Sequence, residues 1–299
     1  MRENTTKQAL HTGLLFAIGG TALFALKSIF IKLAYAHGVD TTTLLTLRML
    51  LALPFYLAML VWLLRQPDTV LPLPREWLAL AILGFMGYYL ASWLDMEGLQ
   101  HISAQLERLT LYTYPIMTTL LGWVFLREKI TQQIVLALVL TYSGVMVLYS
   151  HEATLSGSNV YLGVILVAAA ALTFSCYVVF SKRLIGKLGS LLFTSIAMLV
   201  STVCVFVHFA ATHSLETLAR LPSPVWGYGV LLAVFSTLIP SFMVSEAIAR
   251  IGTAKTSIVG TIGPVFTIGL AVLILGEPFG WFHLAGMVLV LIGVSLLRK

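Results

Sequence analysis

Charge is what this chain has least of. Only 10% of its 299 residues are Asp, Glu, Lys or Arg, against about 25% in a typical soluble domain. Hydrophobic residues make up 59%, and the mean hydropathy is +0.96. So little polar surface cannot clothe a body dissolved in water, which makes the bilayer its solvent. Cysteine is scarce too: Cys176 and Cys204 both lie in apolar runs, no CxxC is present, and no disulfide framework is expected. The seven histidines show no HExxH or other metal spacing, so neither a metal nor another cofactor is expected. A phosphate-cradling GxxxxGK[ST] loop is missing as well, which argues against ATP hydrolysis in this chain. The period-two alternation that barrel strands of about 10 residues require is not seen either.

What is present is a series of apolar stretches of helix length. A spanning helix needs roughly 20 mainly apolar residues. Ten stretches qualify, at about 11–36, 41–64, 76–96, 103–126, 130–150, 159–184, 189–212, 225–247, 254–275 and 280–298. Breakers separate them, among them His37-Gly38, Pro72/Pro74, Pro222/Pro224 and Glu277-Pro278. The first stretch follows Arg2 and Lys7 as a signal peptide would, but it is long and lacks a cleavage site, so it reads as a retained helix. Lys and Arg concentrate in the connections on one face, including Arg65, Arg75, Arg127, Lys182, Arg183 and Lys187, while Arg220 alone marks the other. The positive-inside bias places both termini in the cytoplasm, so the net charge of +6 reports topology rather than a nucleic-acid partner.

The chain also repeats itself. A shift of 149 positions lays Glu97 on Glu246, Pro115 on Pro264, Thr118 on Thr267, Glu128 on Glu277 and Gly144-Val145 on Gly293-Val294. Two halves follow, residues 1–153 and 154–299, with five helices each. An odd number of spans forces the second half into the membrane upside down, the arrangement used by carriers that alternate access. The expected fold is therefore an all-α membrane protein, with ten transmembrane helices in two inverted five-helix repeats.

The repeated pattern Ile102-Ser103-Ala104, Pro115 and Glu128, then Ile251-Gly252-Thr253, Pro264 and Glu277, resembles the drug/metabolite transporter superfamily, in particular its EamA-type ten-helix carriers. The resemblance covers nearly the whole chain and is specific for fold, not for substrate. It implies a central cavity lined by the third, fourth, eighth and ninth spans, and cargo among amino acids, vitamins, nucleosides and other metabolites.

Charges inside apolar spans are the first candidates for function, because each costs roughly 2.5–3.5 kcal/mol to insert. Lys27, Arg48, Glu107 and Arg108 lie within spans, and Asp95 is near a span end. At about 1.5 Å per residue, all five fall in the outer half of the bilayer. Their counterparts in the second half are uncharged. Lys27, Arg48 or Arg108 could meet a substrate carboxylate, and Asp95 or Glu107 an ammonium group or a coupling proton. The bland reading is internal pairing, such as Arg48 with Asp95, or snorkelling of Lys27 and Arg48. Glu107 and Arg108 point about 100° apart, so one is expected to face the cavity and the other a neighbouring helix. Lys32 reads as an interface anchor. Tyr88, Tyr89 and Trp93, with Tyr112 and Tyr114 beyond, form an aromatic set on which a flat substrate could stack, or else ordinary packing and an interfacial belt. Pro115 and Pro264 near mid-membrane are candidate gating points.

These readings converge on a secondary transporter in a bacterial inner membrane, moving an amino acid or related zwitterion, with export favoured. Other metabolites or drug-like compounds remain alternatives. Its partners are a small-molecule substrate, the bilayer and protons as a coupling candidate. A monomer suffices to enclose the cavity, and a homodimer stays open. The rival class, a membrane enzyme on lipid-linked substrates, lacks a catalytic set in the short loops.

Overall fold

In the computed structural model, residues 2–67, 69–127, 130–156 and 159–297 are described. All regular structure among them is helical. The first half holds α1 (Arg2–Tyr35), α2 (Thr41–Leu64), α3 (Glu76–Gly84), α4 (Ala91–Leu99), α5 (Ala104–Leu111), α6 (Tyr114–Leu126) and α7 (Gln132–Ser156). The second holds α8 (Asn159–Leu188), α9 (Ser190–Thr212), the short α10 (Leu215–Ala219), α11 (Ser223–Ala233), α12 (Ile239–Gly260), α13 (Gly263–Leu270) and α14 (Trp281–Leu296). π-helical turns join α3 to α4 (Phe85–Leu90) and α11 to α12 (Val234–Leu238), and another closes α13 (Ala271–Leu275).

Seven of the described helical segments are long and apolar enough to cross a membrane. Among the described residues, three of the ten expected spans are not single long helices. The expected fourth span is cut after Leu111. The ninth and tenth, Gly263–Leu275 and Trp281–Leu296, are shorter apolar helices. The loop expected between 247 and 254 is helical instead, within α12. Along it the i,i+4 pair of Arg250 and Glu246 closes at 2.7 Å, and Arg250 lies over the Phe16 ring.

Both breaks follow from proline. A proline ring crowds the carbonyl four residues earlier and offers no N–H to it. Four residues before Pro115 is Leu111, where α5 ends, and four before Pro264 is Gly260, where α12 ends. Each proline then occupies the first turn of the next helix, where its missing donor costs nothing. The Gly260 carbonyl so freed accepts from the Tyr112 hydroxyl at 2.6 Å. Tyr112 belongs to the other break, so one hydrogen bond joins the two discontinuities.

The shift of 149 reappears in the backbone. It carries the π turn at Phe85 onto the one at Val234, and the break at Tyr112-Thr113 onto Thr261-Ile262. It also carries the left-handed Arg127 (φ 57°) onto the left-handed Gly276 (φ 67°). Pro240 follows the second π turn and Ala91 the first, so proline is not their shared cause.

The halves interlock. The main helix contacts pair α1 with α12, α4 with α8, α2 with α9 and α7 with α14, in each case across the halves. Two crossings are close enough to need glycine. A Cβ on Gly98 of α4 would come within 2.8 Å of the Gly163 carbonyl on α8, and one on Gly144 of α7 within 2.7 Å of the Gly286 carbonyl on α14. Small residues at such crossings let backbones approach where no hydrophobic effect drives helices together.

Candidate transport site

The buried charges gather at one place. Lys27 of α1 donates from Nζ to Asp95 Oδ2 of α4 at 2.5 Å, with the Asp95 side chain 3% exposed. One residue along, Ser28 donates from Oγ to Glu107 Oε2 of α5 at 2.7 Å and accepts from Arg108 Nη2 at 3.2 Å. Arg108 Nη2 also lies 3.4 Å from the Phe24 carbonyl. Glu107 and Arg108 thus reach the same hydroxyl, although one was expected to turn away; the long arginine side chain spans the angle between adjacent helical positions. Asp95 and Glu107 are held by consecutive residues of α1 in one buried cluster. Asp95 Oδ1, Glu107 Oε1 and Arg108 Nε are buried without a partner.

Arg48 of α2 is buried nearby, alongside the first cluster. Its Nε donates to Thr237 Oγ1 at 3.2 Å, in the π turn before α12, and its Nη1 is buried without an acceptor. It does not pair with Asp95, whose partner is Lys27, and neither cation snorkels out of the bundle.

A cavity of about 670 Å³ opens beside Phe24, one helical turn before Lys27 and Ser28 on α1. Its walls are Phe24 of α1, Phe55, Tyr56, Ala58, Met59 and Trp62 of α2, Tyr88, then Ser190, Leu191, Thr194 and Ser195 of α9, and Leu238, Ser241 and Val244. It reaches the surface beside Phe55 and Trp62, which are 55% and 54% exposed, close to the helix ends that carry Arg65 and Lys187. The spans that line it are therefore the first, second, third, seventh and eighth, not the third, fourth, eighth and ninth. Among the described residues no charged side chain lines it; the links are Phe24, whose carbonyl faces Arg108, and Leu238, which follows the threonine that holds Arg48.

Further along α1, beyond Lys27, the opposite end of the bundle is drawn together. Tyr35 donates to the Met96 carbonyl at 2.9 Å, Trp93 Nε1 to Thr42 at 3.1 Å and Gln100 Nε2 to Thr41 at 2.6 Å. A polar vestibule of about 320 Å³ remains there, lined by Lys32, His101, Ser103, Gln105, His151, Glu152, Glu277 and His283 among others. Lys32, expected as an interface anchor, faces it. Glu277 accepts from the free N–H groups of Ala104 and Gln105 at the start of α5, at 2.7 and 3.3 Å, and Glu152 accepts from the Ser103 hydroxyl and N–H. Orphan donors at a helix start are what such carboxylates satisfy. Glu128 lies outside the described residues.

Comparison with known proteins decides the family. The EamA-like transporter family matches twice, over residues 11–150 and 161–298. The chain belongs to this family. Among its relatives is a Bacillus subtilis (strain 168) protein named "Uncharacterized transporter YcbK", 28% identical over 296 residues, covering 95% of this chain and 92% of the relative. An Archaeoglobus fulgidus protein named "Uncharacterized transporter" is 26% identical over 74% of this chain and 76% of its own. A solved crystal structure superposes with a TM-score of 0.64 at 15% identity, covering 96% of both chains, which shows the shared fold. A transporter role, in an integral membrane protein, is the general function these likenesses support.

Within this EamA protein the aromatic candidates divide. Tyr88 lines the cavity and shares a 3.0 Å hydrogen bond with Tyr177. Tyr89 and Trp93 turn instead to His208 of α9, Tyr89 bonding its Nδ1 at 2.9 Å. Tyr112 is engaged at the Gly260 carbonyl. Sequence reasoning passed over Ser28, the hinge between Glu107 and Arg108, and the α2 wall of Phe55, Tyr56 and Trp62. Ser28 had one signal: it is a hydroxyl beside Lys27 in an otherwise apolar run.

Proposed function

We propose that this chain is a secondary carrier that moves a small amphiphilic metabolite, an amino acid or related zwitterion, out of the cytoplasm by alternating access. The observation that carries the reading is a cavity of about 670 Å³ whose wall residue Phe24 lies one helical turn before Lys27 and Ser28 and offers its carbonyl to Arg108. Its aromatic and hydroxyl-bearing walls fit a substrate with an apolar or aromatic side, and the charges behind Phe24 fit its carboxylate and ammonium ends. Lys27, Arg48 and Arg108 take the carboxylate role, Asp95 and Glu107 the ammonium role, and Tyr88 packs against the apolar side. With both termini taken as cytoplasmic, the opening near Arg65 and Lys187 faces inward.

Alternation is supported by the recurrence of turns, breaks and left-handed caps at one register, and by the crossed pairing of the halves 1–153 and 154–299. Inversion of the second half lets the two exchange shapes about an in-plane axis. Pro115 and Pro264 are the bending points. The test is counterflow in proteoliposomes with a panel of amino acids. A saturable signal that weakens in Glu107→Gln is expected; absence of saturable exchange for the whole panel removes the reading. Cysteine labelling at 128 and 277 adds a check on topology: both positions reached from one side would end the inverted arrangement.

A further inference from the structure

We propose that Asp95 and Glu107 together form a proton-binding site, holding one proton between their carboxyls in the inward-facing form, and that this proton is exchanged for the ammonium group of the substrate. The inference rests on the carrier reading for its second half only.

The geometry argues for the proton. The two carboxyls are gripped side by side from consecutive residues of α1, Lys27 and Ser28, yet each keeps one buried oxygen that no donor serves. Their other oxygens are taken, by Lys27 at Asp95 Oδ2 and by Ser28 at Glu107 Oε2. Two ionised carboxylates offer only acceptors to each other. Buried like charges in contact drive one of them to bind a proton, and a single proton between them supplies the missing donor.

The surrounding groups fix the charge balance. Lys27 from α1 and Arg108 from α5 face the pair directly, Arg48 from α2 and the Tyr35 hydroxyl act on Asp95 from further away, and Lys32 acts on Glu107 from the vestibule side. With the proton in place, Lys27, Arg108 and the pair sum to one positive charge. Losing the proton to water leaves two carboxylates in contact with no donor. An incoming ammonium group restores both the charge and the donor. Lys27, with 18% of its side chain exposed, is where the cluster meets water. Exchange of this kind makes transport an antiport: one proton enters for each ammonium-bearing molecule that leaves, and a substrate lacking a cationic group cannot complete the cycle.

Infrared spectroscopy of the purified protein tests the site without any ligand. At neutral pH the carbonyl stretch of a protonated carboxyl is expected, lost in both Asp95→Asn and Glu107→Gln and shifted in Glu107→Asp, each variant first shown monodisperse. A wild-type spectrum without that band, or a band that both Asp95→Asn and Glu107→Gln retain, overturns the site. The exchange is read in weakly buffered proteoliposomes with whichever amino acid of the panel gives counterflow: one proton should move oppositely to each substrate molecule. Counterflow with no proton movement overturns the exchange and leaves the carrier standing. Counterflow absent for the whole panel removes the carrier reading, while the infrared band still decides the site.

Discussion

Replacing Lys27 by methionine isolates the ion pair at the centre of the site. Lys27 Nζ and Asp95 Oδ2 are 2.5 Å apart, and the Asp95 side chain is 3% exposed. Methionine keeps the length of the lysine stem and removes its charge. Removing one partner of a buried pair costs about 3–5 kcal/mol, and here it strips Asp95 Oδ2 of its donor and its nearest cation. On a scale of about 2–4 °C per kcal/mol, that lowers Tm by about 6–20 °C in a detergent melt. Asp95→Asn should cost less, since Lys27 still reaches water. The double variant Lys27→Met/Asp95→Asn should recover much of the loss, so that the two changes are strongly non-additive. Lowering the pH should shrink the Lys27→Met penalty, because a second proton on the Asp95–Glu107 pair supplies the donor that Lys27 gave. Additive losses, with no pH dependence in Lys27→Met, would refute the claim that this pair holds the site together.

Other consequences are as specific. Ser28→Ala strips Glu107 of its donor and Arg108 of an acceptor, and should destabilise by about 1–3 kcal/mol in the same melt. Tyr112→Phe leaves the Gly260 carbonyl without its hydroxyl partner; a loss of about 1–3 kcal/mol is expected, with slower exchange in counterflow. Arg127→Gly should be neutral or stabilising, whereas Gly276→Arg at the matching left-handed position should cost about 1–2 kcal/mol; equal effects from both would contradict the backbone geometry.

Much of this architecture could be read from the residues. Pro115 and Pro264 at one register, with glutamates to match, disclosed the duplication, because proline and charge are rare enough in apolar sequence for coincidence to mean something. The same prolines were expected to bend spans, and they end helices outright, since the clash falls on the carbonyl four residues back; at Pro264 the Tyr112 hydroxyl takes the carbonyl so freed. The π turns left no trace, as one extra residue per turn changes no composition. Buried charge flagged Lys27, Asp95, Glu107 and Arg108, whose insertion cost alone demands partners. It could not say that Ser28 would join two of them, nor that α2 would wall the cavity. Those facts depend on how helices pack across the halves, which an apolar face leaves open. Tyr89 and Trp93 share a face as their spacing required, but that face meets His208.

The bond from Tyr112 to Gly260 has a mechanical corollary. Each half has its own elbow, and a single phenol ties one elbow to the other. A swing at either therefore tugs its mate, so the bundle favours moving as a linked pair over flexing one side at leisure. In the alternating-access carrier proposed above, such a linkage acts as a safety catch against leakage.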